Sequence, residues 1–260
     1  MKKLFAIALA LVLALSTLTA MADEVIYVAT NPEYPPFESV ADDGVTIVGY
    51  DVDMFDAIAK KAGFKYEFES MAFDAVVSAV ATNPNTVGLS GISITDERKM
   101  SVNFSLPYIN AGVVVIAKTG SGFKTADDLK GKVIGVQLGT TSDFEAVEIT
   151  GIDNVAQYNT FLNGIMDLQG NKIDAVFIDK PVGEAILASL NDASLEMRDI
   201  ESGADWYGIA INKDNVELQQ KIDAAITELE AEGFFTELAQ KYFGGTEEAA
   251  AEESPVDHMP

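Results

Sequence analysis

Cysteine is absent from the 260 residues. That removes disulfides, thiol nucleophiles and thiolate metal sites at once, and leaves no cysteine near the start to carry a lipid. Histidine occurs once, as His258, in the closing stretch TEEAAAEESPVDHMP. That stretch is acidic, rich in small residues and without an apolar helical face, so 246–260 is expected to be a disordered tail, and no metal or catalytic role is expected of His258. Basic residues are scarce: 17 Lys and Arg stand against 41 Asp and Glu, a formal charge of −24. Nucleic-acid affinity rests on Lys and Arg neutralising phosphates, so no nucleic-acid partner is expected. The acidity speaks to solubility rather than to fold.

Long apolar runs are also lacking, with one exception. Lys2 and Lys3 are followed by nearly unbroken apolar sequence over 4–15, and Ala20-Met21-Ala22 then supplies small residues. Charged, apolar and small-residue segments in that order mark a secretory signal peptide. The run is short of the roughly 20 residues of a bilayer span, which disfavours the alternative of an uncleaved anchor. Cleavage near Ala22 is expected, leaving a freely diffusing periplasmic protein. Hydrophobic residues make up 48% of the chain, enough for one large core or two smaller ones.

Beyond residue 23, short apolar strands alternate with helical stretches. Strands are expected at 25–29, 64–68, 87–89 and 113–117, and helices at 52–62 and 73–81. A second series follows: strands at 133–136, 155–158 and 175–178, helices at 142–149, 161–169 and 182–190. A strand at 207–211 and helices at 216–230 and 234–242 close the pattern. Such alternation predicts an α/β protein with largely parallel sheets. The series starts twice, as two lobes of similar plan would.

Four segments carry chemistry. In Gly91-Ile92-Ser93-Ile94-Thr95-Asp96-Glu97-Arg98, a small-residue turn follows a strand and Thr95 can cap a helix opening at Asp96. Arg98, one turn in, can hold a carboxylate through two parallel bonds; the alternative is a surface arginine. Gly139-Thr140-Thr141-Ser142 opens a helix after a strand, so free N–H groups and two hydroxyls can meet an anion; a plain N-cap turn is the alternative. Asp179 directly follows a buried strand, where α/β proteins bind ligands, and can pair with an ammonium or cap the helix near Pro181. Asn31-Pro32-Glu33-Tyr34-Pro35-Pro36-Phe37 is stiffened by proline. It presents Tyr34 as an aromatic wall, with Phe37 expected in the core and Phe73 a further aromatic. An arginine, hydroxyls, a carboxylate and aromatic walls together suit a zwitterionic α-amino acid. No activated nucleophile pair is evident.

With these residues in place, the chain resembles the periplasmic amino-acid-binding proteins of ABC importers, solute-binding protein family 3, from about residue 25 to 244. The matching pieces include YPPFE, VGYDVDMFDAIAKKAG, GISITDERK, DLKGKVIGVQLGTTS, IDAVFIDKP and WYGIAINKDN, in family order. The resemblance implies a two-lobed type II periplasmic-binding-protein-like fold, with two mixed sheets flanked by helices. It implies crossovers near 107–111 and 203–207, with lobe one at 23–109 plus 206–245 and lobe two at 110–205. It implies a monomer without cofactor that closes on its ligand and hands it to membrane permease subunits. Arg98 matches the carboxylate clamp, Ser93 and Thr141 its hydroxyl donors, Gly91 a carbonyl for the ammonium, and Asp179 the ammonium's partner. Thr140 belongs to the same anion-binding turn. Tyr34 and Phe73 match the aromatic sandwich, and Asn31, Ser90 and Gln137 fall where the ligand side chain is read. There are departures: Asn31 stands where several members carry Asp, and Asn83-Pro84-Asn85-Thr86 replaces a Gly-x-x-Asp turn. Glu33 remains a possible charge for a basic ligand. The ligand class is thus polar or basic. A dehydratase-like enzyme using Glu33 or Asp179, and a chemosensory receptor, are the competing readings.

Overall fold

The computed structural model of the protein describes residues 25–200 and 205–244. The expected signal peptide at 1–22, the expected tail at 246–260, and Gly203 and Ala204 of the second expected crossover lie outside the described residues.

In chain order the first run is β1 (Val25–Thr30), β2 (Glu33–Tyr34), β3 (Glu38–Val40), β4 (Ile47–Val48), α1 (Tyr50–Ala62), β5 (Lys65–Ser70), α2 (Phe73–Thr82), β6 (Thr86–Gly88), α3 (Asp96–Lys99), β7 (Asn103–Phe104) and β8 (Ile109–Asn110). The second is β9 (Val113–Lys118), β10 (Ile134–Gln137), α4 (Thr141–Thr150), β11 (Val155–Tyr158), α5 (Phe161–Gln169), β12 (Ala175–Asp179), α6 (Lys180–Leu190) and β13 (Leu195–Asp199). The chain then passes through β14 (Trp206–Tyr207) and β15 (Ala210–Ile211) into α7 (Val216–Ala231) and α8 (Phe234–Phe243).

Two five-stranded sheets result, ordered β5-β1-β6-β15-β7 and β11-β10-β12-β9-β13. The first three strands of each order are parallel, but β15 runs against β6 and β7, and β9 runs against β12 and β13. Both sheets are therefore mixed, which corrects the largely parallel arrangement read from periodicity and agrees with the resemblance. β8 and β14 pair antiparallel outside both sheets.

Burial follows sequence pattern. All five residues of β12 are buried, as a central strand covered on both faces requires. β5 has only half-buried and exposed residues, as suits an edge. On α1 the buried face is Met54, Phe55, Ile58 and Ala59, and Gly63 ends the helix in the left-handed region with its N–H on the Ala59 carbonyl. Phe55 and Ile58 are fully enclosed, each contributing roughly 1.5–3 kcal/mol of transfer free energy.

The strand expected over 207–211 is broken. Tyr207 pairs with Ile109 and bridges to Ser93, whereas Ala210 pairs with Gly88 and Phe104. The chain enters a sheet between these points and Gly208 makes the step, its N–H on the Ile92 carbonyl at 3.0 Å.

Candidate functional site

The C-terminal ends of β1, β6, β10 and β12 deliver Asn31, Ser90–Ser93, Leu138–Thr141 and Asp179 to one place. Two come from each sheet, so the arrangement meets the rule that open α/β sheets bind ligands beyond the carboxyl ends of strands, twice over.

The first cluster centres on Arg98. Thr95 caps α3 by accepting from the Arg98 N–H at 3.1 Å. The guanidinium lies over the Phe73 ring at 5.5 Å. Nη1 donates to the Ser93 carbonyl at 2.8 Å and Nη2 to the Gly139 carbonyl at 3.1 Å. Arg98 thus ties the turn after β6 to the turn after β10. Beside it, the Ser93 and Thr141 hydroxyls are 3.3 Å apart, and both donate to the Asp205 carboxylate. Burial lowers the Arg98 pKa while the charge of Asp205 works against that shift.

Asp179 forms the second cluster. It stands at the N-cap position of α6, yet its side chain makes no cap bond. Its carboxylate instead accepts from the Tyr34 and Tyr207 hydroxyls, which lie 3.0 Å from each other. The helix-capping alternative is therefore not realised. Burial first, then the charge of Asp205, hold the Asp179 carboxyl well above its ordinary range. The Tyr34 ring packs between Phe37 and Phe161, with centroids 5.8 Å away on each side.

The third cluster is made of amides. Gln137 Nε2 donates to Asn31 Oδ1 and to the Asn159 carbonyl, each at 2.9 Å. Asn31 Nδ2 donates to the Met71 carbonyl, and its N–H reaches Ser90 Oγ at 3.0 Å. Ser90 in turn donates to Glu38 at 2.8 Å.

Gly91 has φ +55°, and a Cβ there would stand 2.6 Å from the Tyr34 ring. Both the left-handed backbone and the close ring require glycine. Its N–H reaches Asp51 at 3.2 Å, and Asp51 also accepts from Tyr108 at 2.9 Å.

Two expected residues fall outside these clusters. The Thr140 hydroxyl donates to the Gln137 carbonyl at 2.8 Å and accepts from the Asp143 N–H at 3.2 Å. It is consumed by capping α4, so the anion-binding role read for it is corrected to a structural one. Glu33 is exposed, alternating with buried Tyr34 along β2, and so points away from the site.

Sequence reasoning missed Asp205, Tyr207, Phe161, and the pair Glu38 and Asp51. Both members of that pair are 1% exposed. Glu38 Oε2 and Asp51 Oδ1 meet no N–H or O–H donor among the described residues, and one proton shared between the two carboxyls satisfies both. Burial and the charge of Asp51 raise Glu38 well above its ordinary value, and burial raises Asp51 to about 6. A faint signal was present: Glu38 directly follows Pro35-Pro36-Phe37, and Asp51 follows Tyr50 in GYDVDMF, where Asp53 is a second acid.

Next to the clusters opens a cleft of about 480 Å³, lined in part by Phe73, Arg98, Gly139, Thr141, Glu145 and Glu148. Among the described residues no group of His, Cys, Asp or Glu is placed to hold a metal ion. Chemically, the site offers a guanidinium with hydroxyl donors, a buried carboxylate under two phenols, aromatic walls, and amides that can read a polar group.

The model for "Bacterial extracellular solute-binding proteins, family 3" matches residues 26–245. The putative ABC transporter arginine-binding protein 2 of Escherichia coli (strain K12) is 32% identical over 231 residues, covering 87% of this chain and 94% of that protein. The L-cystine-binding protein TcyJ of the same organism is 30% identical, covering 84% and 82%. Among solved structures, an ancestral arginine-binding protein bound to arginine superposes with a TM-score of 0.79 at 35% identity, covering 85% of this chain and 99% of that one. An ancestral arginine-binding protein bound to glutamine superposes with the same TM-score of 0.79 at 35% identity, covering 85% of this chain and 98% of that one. The two-lobed type II periplasmic-binding-protein fold is common to these neighbours and this chain.

Proposed function

Because the chain belongs to the bacterial extracellular solute-binding proteins of family 3, we propose that it captures a polar or basic L-amino acid between two lobes and passes it to the permease subunits of an ABC importer. The carrying observation is the convergence, from three strand ends of two sheets, of Arg98, Ser93 and Thr141 on one side and Asp179 on the other. In this reading the first three hold the α-carboxylate, while Asp179 and the Gly91 carbonyl hold the α-ammonium. Tyr34 and Phe73 flank the side chain, and Asn31, Ser90 and Gln137 read its far end. The amide pair, and the names of relatives that bind arginine and cystine, support a polar or basic side chain.

Lobe one is residues 23–109 with 206–245, and lobe two 110–205. Closure about β8 and β14 is favoured because ligand contacts both lobes only when they meet. The protein works as an exported monomer after removal of residues 1–22, needs no cofactor and leaves its ligand unchanged. Titration calorimetry against the twenty L-amino acids tests this: one-to-one binding of a polar or basic member is expected. Heat from none of them would sink the proposal.

A further inference from the structure

We propose that Asp205 is a built-in competitor for the ligand's carboxylate: it occupies the hydroxyl donors of the clamp and latches the two halves of the site together. The proposal rests on the reading of Arg98, Ser93 and Thr141 as that clamp.

The geometry is specific. One oxygen of Asp205, Oδ2, accepts from Ser93 Oγ at 3.0 Å and from Thr141 Oγ1 at 3.2 Å. Ser93 follows β6 of the first sheet and Thr141 opens α4 of the second. The carboxylate is therefore a bridge between elements far apart in sequence. Its backbone is held as well. The Asp205 N–H donates to Asn110 Oδ1 at 3.0 Å, and the Asp205 carbonyl accepts from the Ala111 N–H at 3.0 Å. With its main chain tied to the neighbouring connection on both sides, Asp205 is held where its carboxylate meets the clamp.

A hydroxyl has a single proton to donate. An incoming carboxylate that uses Ser93 and Thr141 requires the same two protons, so it and Asp205 exclude one another. Two carboxylates beside one guanidinium also repel. Binding must therefore displace Asp205, and the affinity measured is the clamp's intrinsic affinity less the work of displacement. Asp205 further disfavours ionised Asp179, whose pKa its charge raises. Removing Asp205 thus frees the carboxylate clamp and leaves Asp179 a better partner for an ammonium.

The test uses the full mature chain, stripped of ligand by unfolding and refolding, as wild type, Asp205→Asn and Asp205→Ala. Binding is read by calorimetry with L-arginine and with L-glutamine, and shape by small-angle scattering without added ligand. Both variants are expected to bind at least one probe about tenfold more tightly, equivalent to roughly 1.4 kcal/mol, and to show a larger radius of gyration than wild type. Weaker binding by both variants would overturn the proposal by making Asp205 a direct partner of the ligand. Unchanged affinity would make it a bystander. If wild type binds neither probe, the reading of the clamp toward those ligands fails. The scattering comparison still decides on the latch, and an unchanged radius in both variants refutes it.

Discussion

At the scale of single residues, the site turns on what each donor is already doing. Arg98 spends Nη1 and Nη2 on two carbonyls, from the turns after β6 and β10, and holds its guanidinium over the Phe73 ring. A lysine keeps the charge but has neither the planar fork nor the stacking face. Arg98→Lys should therefore weaken amino-acid binding by about 10- to 100-fold, in line with roughly 1.5–3 kcal/mol for a hydrogen bond to a charged group. Calorimetry checks this, and equal affinity would remove Arg98 from the clamp. The motif residues Ser93, Arg98, Thr141 and Asp179 were legible in the sequence because each follows a strand in a local pattern of turn and helix start. Asp205 and Tyr207 were not. Ser93 and Asp205 are 112 positions apart, and no local pattern encodes such a pairing. Asp51 was read past because an acid in the first turn of a helix is ordinarily solvated and favoured by the helix dipole, and Glu38 because it opens a three-residue strand too short to show a burial pattern.

At the scale of elements, the helices were the most readable parts. α5 runs over Phe161–Gln169, as its apolar spacing predicts, and α1, α4 and α6 differ from expectation by one or two residues at their starts. The two- and three-residue strands β2, β3, β4 and β7 escaped, since so few residues carry no period. They exist because long-range partners complete them. Caps make the sharpest element-level prediction. Thr140 closes the start of α4 with its hydroxyl fully engaged. Thr140→Ala should lower stability by about 1 kcal/mol, a drop of roughly 2–4 °C in the melting midpoint for a chain of this size, with ligand affinity unchanged. A tenfold loss of affinity would return Thr140 to the ligand site.

At the scale of the whole molecule, buried carboxyls oppose surface ones. Glu38, Asp51, Glu145, Asp179, Asp205 and Asp223 are all raised, burial being the first cause in each. A raised carboxyl binds more protons folded than unfolded, so its contribution to stability falls as pH climbs from the unfolded to the folded pKa. For Asp51 that window runs from 3.8 to about 6. Asp43, Asp128, Asp192 and Glu217 are lowered by local hydrogen bonds, and their contribution is lost as pH falls below the ordinary carboxylate range. The net charge of −24 adds repulsion that protonation relieves. The melting midpoint should thus rise as pH is lowered from about 7.5 to about 5 and fall again below about 4. Glu38→Gln should flatten the first limb. A midpoint that declines steadily from neutral pH in differential scanning calorimetry would contradict this account.

The strand order of the first sheet also bears on how the chain is made. β15 lies between β6 and β7, although about a hundred residues and the entire second sheet come between β7 and β15 in the chain. A chain emerging from its N-terminal end can complete the later-numbered sheet while the earlier one still has a gap in its middle. Until Ala210 and Ile211 arrive, the inner edges of β6 and β7 are open templates for a stranger's strand. The last fifth of the chain is therefore both keystone and safeguard against aggregation, and a ribosome or translocon that stalls before it releases a chain with its stickiest edges bare.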